Sequence, residues 1–137
     1  WGCARRLASP ALSSWSTSAT IVLGSIPMAE PICEVIITAD SEDWLINFTR
    51  SLVEDRLVAC GQHIAPIRSI YRWDGTIHDD HETRVALHTR ASLVPAVIDR
   101  TRQAHPYDVA CILAIPVEAG NPDYVQWVIE ETIEPSS

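Results

Sequence analysis

A chain of 137 residues with eighteen acids, ten arginines and no lysine is long enough for one domain and carries a formal charge of −8. That acidity argues against nucleic acid as a partner and mildly favours cations, and no apolar run approaches the roughly 20 residues that span a bilayer, so no membrane partner is expected. The charge is uneven: residues 1–29 hold Arg5 and Arg6 and no acid, whereas residues 30–137 set eight arginines against eighteen acids, a balance of −10.

The stretch before Met28-Ala29-Glu30 is rich in Ser, Ala and Thr and unlike the remainder. It reads as a disordered extension over 1–28 ahead of one domain at 29–137, with an acid-poor targeting peptide as the alternative. Residues 32–39 are β-branched and bounded by Pro31 and Asp40, which predicts a strand. Asp40-Ser41-Glu42-Asp43 then supplies a cap and first-turn acids. Trp44, Leu45, Phe48, Leu52 and Leu57 follow at helical spacing, predicting an amphipathic helix to about Val58.

Residues 60–67 and 69–73 read as extended, with a bend at Pro66. Asp74-Gly75 then predicts a hairpin turn, because glycine accepts the positive φ that such turns require. Tyr71 and Trp73 lie two apart and share a strand face. Paired rings on a protruding hairpin need cover, which in a small domain is often another subunit. His78-Asp79-Asp80-His81-Glu82 reads as a loop just past the turn, either a surface divalent-ion site or a solvated run that keeps an edge from pairing with strangers. Residues 83–89 alternate and form the returning strand. Ser92 is expected to cap a helix over 93–104, with Pro95 tolerated in its first turn. His105-Pro106-Tyr107 breaks that helix, residues 111–117 form a fourth strand, and Asn121 caps a last helix with Pro122 at its first position and Tyr124, Trp127 and Val128 on one side. The order β-α-β-β-α-β plus a tail helix predicts an α+β ferredoxin-like sandwich with a long hairpin.

Cys3, Cys33, Cys60 and Cys111 are widely spaced with no CxxC, the pattern of reduced thiols in a cytoplasmic protein. His105 sits where a helix ends, and Cys111 six residues on offers a soft thiolate for copper or zinc. The plain alternative is that His105 bonds a backbone carbonyl and the cysteines pack as small apolar residues. GxSxG, Walker, GxGxxG and HExxH motifs are absent, and a Cys–His nucleophile pair lacks an evident orienting group. An acylphosphatase reading fails because Asp40-Ser41-Glu42-Asp43 would repel phosphate. No enzymatic activity is expected.

Five segments in register resemble the CutA divalent-cation-tolerance family: Leu57-Val58-Ala59-Cys60, Ser69 to Gly75, Thr89-Arg90-Ala91-Ser92-Leu93-Val94-Pro95-Ala96, His105-Pro106-Tyr107 and Gly120 to Trp127. The resemblance implies a ferredoxin-like subunit in a tight homotrimer whose hairpin reaches a neighbour, with a role in metal tolerance and copper binding. On that fold His88 and Cys60 join His105 and Cys111 as candidate metal ligands, two His and two Cys suiting tetrahedral Zn or Cu(I). Tyr71, Trp73, Arg72, Arg90, Tyr107, Tyr124 and Trp127 are expected to line an inter-subunit cleft or fill the trimer seam. The trimer is also similar to PII-like signalling proteins. A small anion bound between subunits, with Arg72, Arg90 and Tyr107 as contacts, is therefore the alternative, and a purely structural interaction module is a third. The chain departs from the family pattern at Ala110-Cys111 (usually Pro-Glu), at His88 (usually Lys), and at Ile37, where some bacterial members carry a cysteine proposed as a copper ligand.

Overall fold

In a computed structural model, whose described residues are 30–136, the chain runs β1 (Ile32–Ala39), α1 (Glu42–Glu54), β2 (Cys60–Trp73), β3 (Thr76–Arg90), a 3-10 turn (Ala91–Leu93), α2 (Val94–Ala104), β4 (Ile112–Pro116) and α3 (Pro122–Glu131). The segment 1–28, read as an extension, lies outside the described residues. The four strands are antiparallel in the order β2-β3-β1-β4. That is the order in which two split βαβ units interleave.

One face of the sheet carries Val35, Ile37 and Ala39 of β1 with Val85 and Leu87 of β3, all fully buried under Leu45, Phe48 and Leu52 of α1 and Val97 of α2. Strict alternation along paired strands puts these residues on a single side. The other face starts with Ile32, and there α3 lays Val125 and Val128, with Ala59, Tyr124 and Trp127 packed alongside. The tail helix thus covers the face that α1 and α2 leave open, at the end near residue 32.

Local chemistry explains most boundaries. The Ser41 side chain accepts the Trp44 N–H at 3.2 Å, and Asn121 accepts that of Asp123 at 3.2 Å. Asp74 and Gly75 adopt φ of 50° and 74°, the paired positive values of a two-residue hairpin turn. At Pro66, which has no N–H to donate, the β2–β3 register shifts between Ile64 and Ile67.

Three expectations are corrected. The first helix stops at Glu54, not Val58, because Arg56 turns left-handed at φ 59°. The amides of Arg56 and Leu57 then bond back to Val53 O and Leu52 O, each at 3.0 Å, closing a Schellman motif without its usual glycine. Ser92 does not cap the second helix. It lies in the 3-10 turn, and its hydroxyl donates to Glu30 at 3.4 Å, while Leu93 holds the cap position. Residues 78–82 are not a loop but part of β3, so Tyr71 faces His78 and Arg68 forks onto Asp79 through two 2.7 Å bonds. Alternation sends His78 and Asp80 to one face and Asp79 and His81 to the other, which dissolves the dense ligand cluster.

Candidate functional site

Register brings together residues far apart in sequence. His88 is paired across β3 with Cys60 of β2 on one side and with Glu34 of β1 on the other. The three therefore form one row over three strands, on the face that α3 covers. Cys60 Sγ lies 3.5 Å from His88 Nδ1, and Glu34 Oε2 lies 2.8 Å from His88 Nε2. A carboxylate only accepts, so Nε2 carries the proton that it donates to Glu34, and Nδ1 is left with one lone pair as an acceptor. Tyr124 of α3 completes the group, with its hydroxyl 2.5 Å from His88 Nδ1 and 3.2 Å from Cys60 Sγ. Its ring stands edge-on to the imidazole, with centroids 5.6 Å apart. Cys60 is buried and His88 and Tyr124 half-buried, so the donors are largely shielded from water.

Two arginines hold α3 in place. Arg90 is buried, and its guanidinium donates to Ile129 O at 2.7 Å, to Thr132 O at 3.1 Å and Oγ1 at 3.0 Å, and to Glu30 at 2.9 Å. Arg56 donates to Glu131 O at 3.1 Å and Glu130 O at 2.7 Å. Together they occupy the carbonyls that a helix C-terminus leaves bare, with charges of the favourable sign. Arg90, expected as a cleft contact, is turned inward.

The four metal candidates do not gather. His105 Nε2 donates to Thr38 O at 2.8 Å, its Nδ1 accepts the Tyr107 N–H at 3.0 Å, and its ring packs against Trp44 and Tyr107. Cys111 is exposed, its carbonyl accepting the Thr38 N–H at 3.4 Å. Both residues thus belong to the Thr38 end of β1, four residues or about 13 Å along the strand from Glu34. Among the described residues, no group of three or more His, Cys, Asp or Glu is placed to hold a metal ion. The sequence reading missed Glu34 as the orienting group. Its one signal was a lone acid inside an otherwise apolar strand.

Of the remaining cleft candidates, Tyr71, Arg72 and Trp73 are exposed on the hairpin, where Tyr71 donates to Asp80 at 2.6 Å. Tyr107 donates to Glu82 at 3.2 Å, and burial, reinforced by the charges of Glu82 and Asp40, pushes its phenol above the usual range. Trp127 packs in the second core cluster, its ring centroid 5.6 Å from that of Tyr124. On the helix side, a groove of about 700 Å³ runs along α2 past Ile98, Arg102, His105, Tyr107, Asp108 and Ile112.

The family model described as CutA1 divalent ion tolerance protein matches residues 33–131. The protein CutA of Mus musculus is 42% identical over 101 residues, covering 74% of this chain and 57% of its own length. This chain therefore spans little more than half of that relative. The divalent-cation tolerance protein CutA of Thermus thermophilus is 37% identical over 98 residues, covering 72% of this chain and 95% of its own. The crystal structure of CutA1 from Oryza sativa superposes with a TM-score of 0.76 at 28% identity, over 80% of this chain and all of that one.

Proposed function

This chain belongs to the CutA1 divalent ion tolerance family, and from that premise we propose that it contributes to metal tolerance as a cytoplasmic homotrimer that binds a divalent or soft transition ion, copper among them. It acts by binding, with no catalysed turnover.

The observation that carries the metal reading is the Cys60–His88 pair. A sulfur and an imidazole nitrogen bound to one tetrahedral ion, at bond lengths of about 2.3 and 2.05 Å, lie about 3.5 Å apart, and Cys60 Sγ and His88 Nδ1 are 3.5 Å apart. The donor types suit copper and zinc, not calcium or magnesium. Glu34 behind the imidazole is the partner that metal-bound histidines ordinarily have. His105 contributes a ligand only if it gives up a bond it makes within the chain, and the exposed Cys111 thiol stands apart from the Cys60–His88 pair.

The trimer rests on the hairpin. Ile70 and Ile77, on one face of the hairpin, are 68% and 64% exposed, Trp73, on the other face with Tyr71, is 55% exposed, and apolar side chains left open on both faces suit an arm that a neighbour covers. A second reading, a PII-like trimer that takes a small ligand at a subunit boundary, is favoured by the groove beside α2, with Arg102 as its cation.

Calorimetry with Cu and Zn on the reduced protein, together with light scattering, tests both parts. We expect binding tighter than micromolar that depends on Cys60 and His88, and a particle of three 15.2 kDa chains. Millimolar affinity with thermal stabilisation by nucleotides or carboxylates alone favours the second reading. A stable single-chain particle overturns the trimer.

A further inference from the structure

The groove beside α2 is lined by Ile98 of the helix and Ile112 at the start of β4, both half-buried, and by Val109, which is 69% exposed. His105 fixes one wall. Its ring nitrogens are engaged by the Thr38 carbonyl and the Tyr107 amide, and the Tyr107 hydroxyl is engaged by Glu82. Tyr107 therefore offers the groove chiefly its ring. The volume of about 700 Å³ falls within the roughly 300–1,000 Å³ of small-molecule sites.

Charges of both signs line this apolar surface. Arg102 lies in the last turn of α2, Asp99 three residues before it and Asp108 in the segment after the helix. All three are exposed, and among the described residues none enters an ion pair or a side-chain hydrogen bond. The last turn of α2 adds carbonyls without helical partners, a partial negative charge on the side of the two acids.

We propose that the groove binds a zwitterion with an apolar body, an apolar amino acid or a short apolar peptide. Its carboxylate pairs with Arg102, its ammonium with Asp99 or Asp108, and its aliphatic part packs on Ile98 and Ile112. This inference rests on the small-ligand reading above, not on the metal one, and names the class of ligand. Each simpler ligand leaves a group unmatched. A polyphosphate or a plain carboxylate meets two acids beside one cation, and an amine alone meets Arg102. An uncharged apolar molecule takes water from three charges and gives them no partner. The planar guanidinium of Arg102 suits a carboxylate through two parallel bonds.

Calorimetry on the reduced full chain tests this with leucine and the dipeptide Leu-Leu. Two controls are leucine without its carboxylate (3-methylbutylamine) and leucine without its amine (4-methylpentanoate). We expect saturable binding of leucine or Leu-Leu tighter than about 1 mM. Both controls should bind at least about tenfold more weakly, since each loses a charge-assisted bond. Arg102→Gln removes the advantage of leucine over 3-methylbutylamine. Asp99→Asn combined with Asp108→Asn removes its advantage over 4-methylpentanoate. That reciprocity is one that a general loss of structure does not produce, and melting temperatures should stay at the wild-type value because the three positions are exposed. The tighter of leucine and Leu-Leu identifies the source as free amino acid or peptide. Failure of both, with a nucleotide or a plain carboxylate binding in an Arg102-dependent way, overturns the zwitterion and leaves the small-ligand reading standing. Leucine binding that ignores both sets of substitutions lies elsewhere and overturns this site. Absence of binding by all these compounds, nucleotides included, sinks the small-ligand reading as well.

Discussion

Gly61 lets β2 lie close beneath α1. A Cβ added there would stand 2.4 Å from Thr49 Cγ2 and about as close as packing allows, 3.0 Å, from Leu87 Cδ2. Thr49 is β-branched and stiff, so it yields poorly. Gly61→Ala should therefore destabilise the fold by about 1–3 kcal/mol, read as a lower denaturant midpoint at unchanged slope. Two residues on, His63 shares the helix-side face, and its Nδ1 has no hydrogen-bond partner among the described residues. Burial lowers its pKa below the usual histidine value, opposed by the charge of Glu42. The unfolded chain therefore binds the proton more readily. The associated stability is intact above about pH 6.5 and is lost as the pH falls below it, towards the depressed folded value. Melting curves between about pH 7.5 and 5.5 (roughly one unit above and below that value) should show a decline that His63→Gln flattens. A decline identical in the variant would assign the acid sensitivity to other groups. Neither residue's role was legible in the sequence, since each depends on what the opposite layer places against it.

The end of α1 shows what element-level reading misses. Helix periodicity runs through Leu57, and without a glycine to mark the stop the sequence suggested a helix to about Val58. Arg56 ends it at a left-handed φ that costs an L-residue roughly 1–2 kcal/mol. Its bonds to Glu130 O and Glu131 O, and the Ile133 amide on its own carbonyl at 3.0 Å, offset that cost by tying α1 to α3. Arg56→Ala loses the tie and keeps the strain, whereas Arg56→Gly loses the tie and relieves it. Urea unfolding should place the alanine variant below the glycine variant by about 1 kcal/mol, with both below wild type. Equal stability of the two would mean the left-handed turn is not maintained. By contrast, the Asp74-Gly75 turn and the Asn121-Pro122 cap were legible in the sequence, because their chemistry is complete within four residues. The 78–82 run was misread for the converse reason. Its side chains look like a cluster in sequence but alternate between faces once the strand continues through them.

For the whole molecule, the proposed trimer rests on the β2–β3 hairpin. Among the described residues, no layer covers the apolar side chains that the far half of the β2–β3 hairpin carries into solvent, and in the proposed trimer a neighbour supplies that layer. Trp73→Ala should lower both the particle mass and the melting temperature, since uncovering an aromatic buried in the assembly costs on the order of 3–5 kcal/mol. An unchanged mass and melting point would free the hairpin from any role in assembly. The number, order and kind of elements, the hairpin turn and the family were all determined by the sequence alone, because helical and strand periodicities and turn chemistry are local. Only the tertiary structure decided that Cys60, His88 and Glu34 stand in one row beneath Tyr124, while His105 turns to the Thr38 carbonyl about 13 Å along β1. Strand register and the face a helix covers arise from pairing across many residues of intervening chain, and no local pattern carries that information.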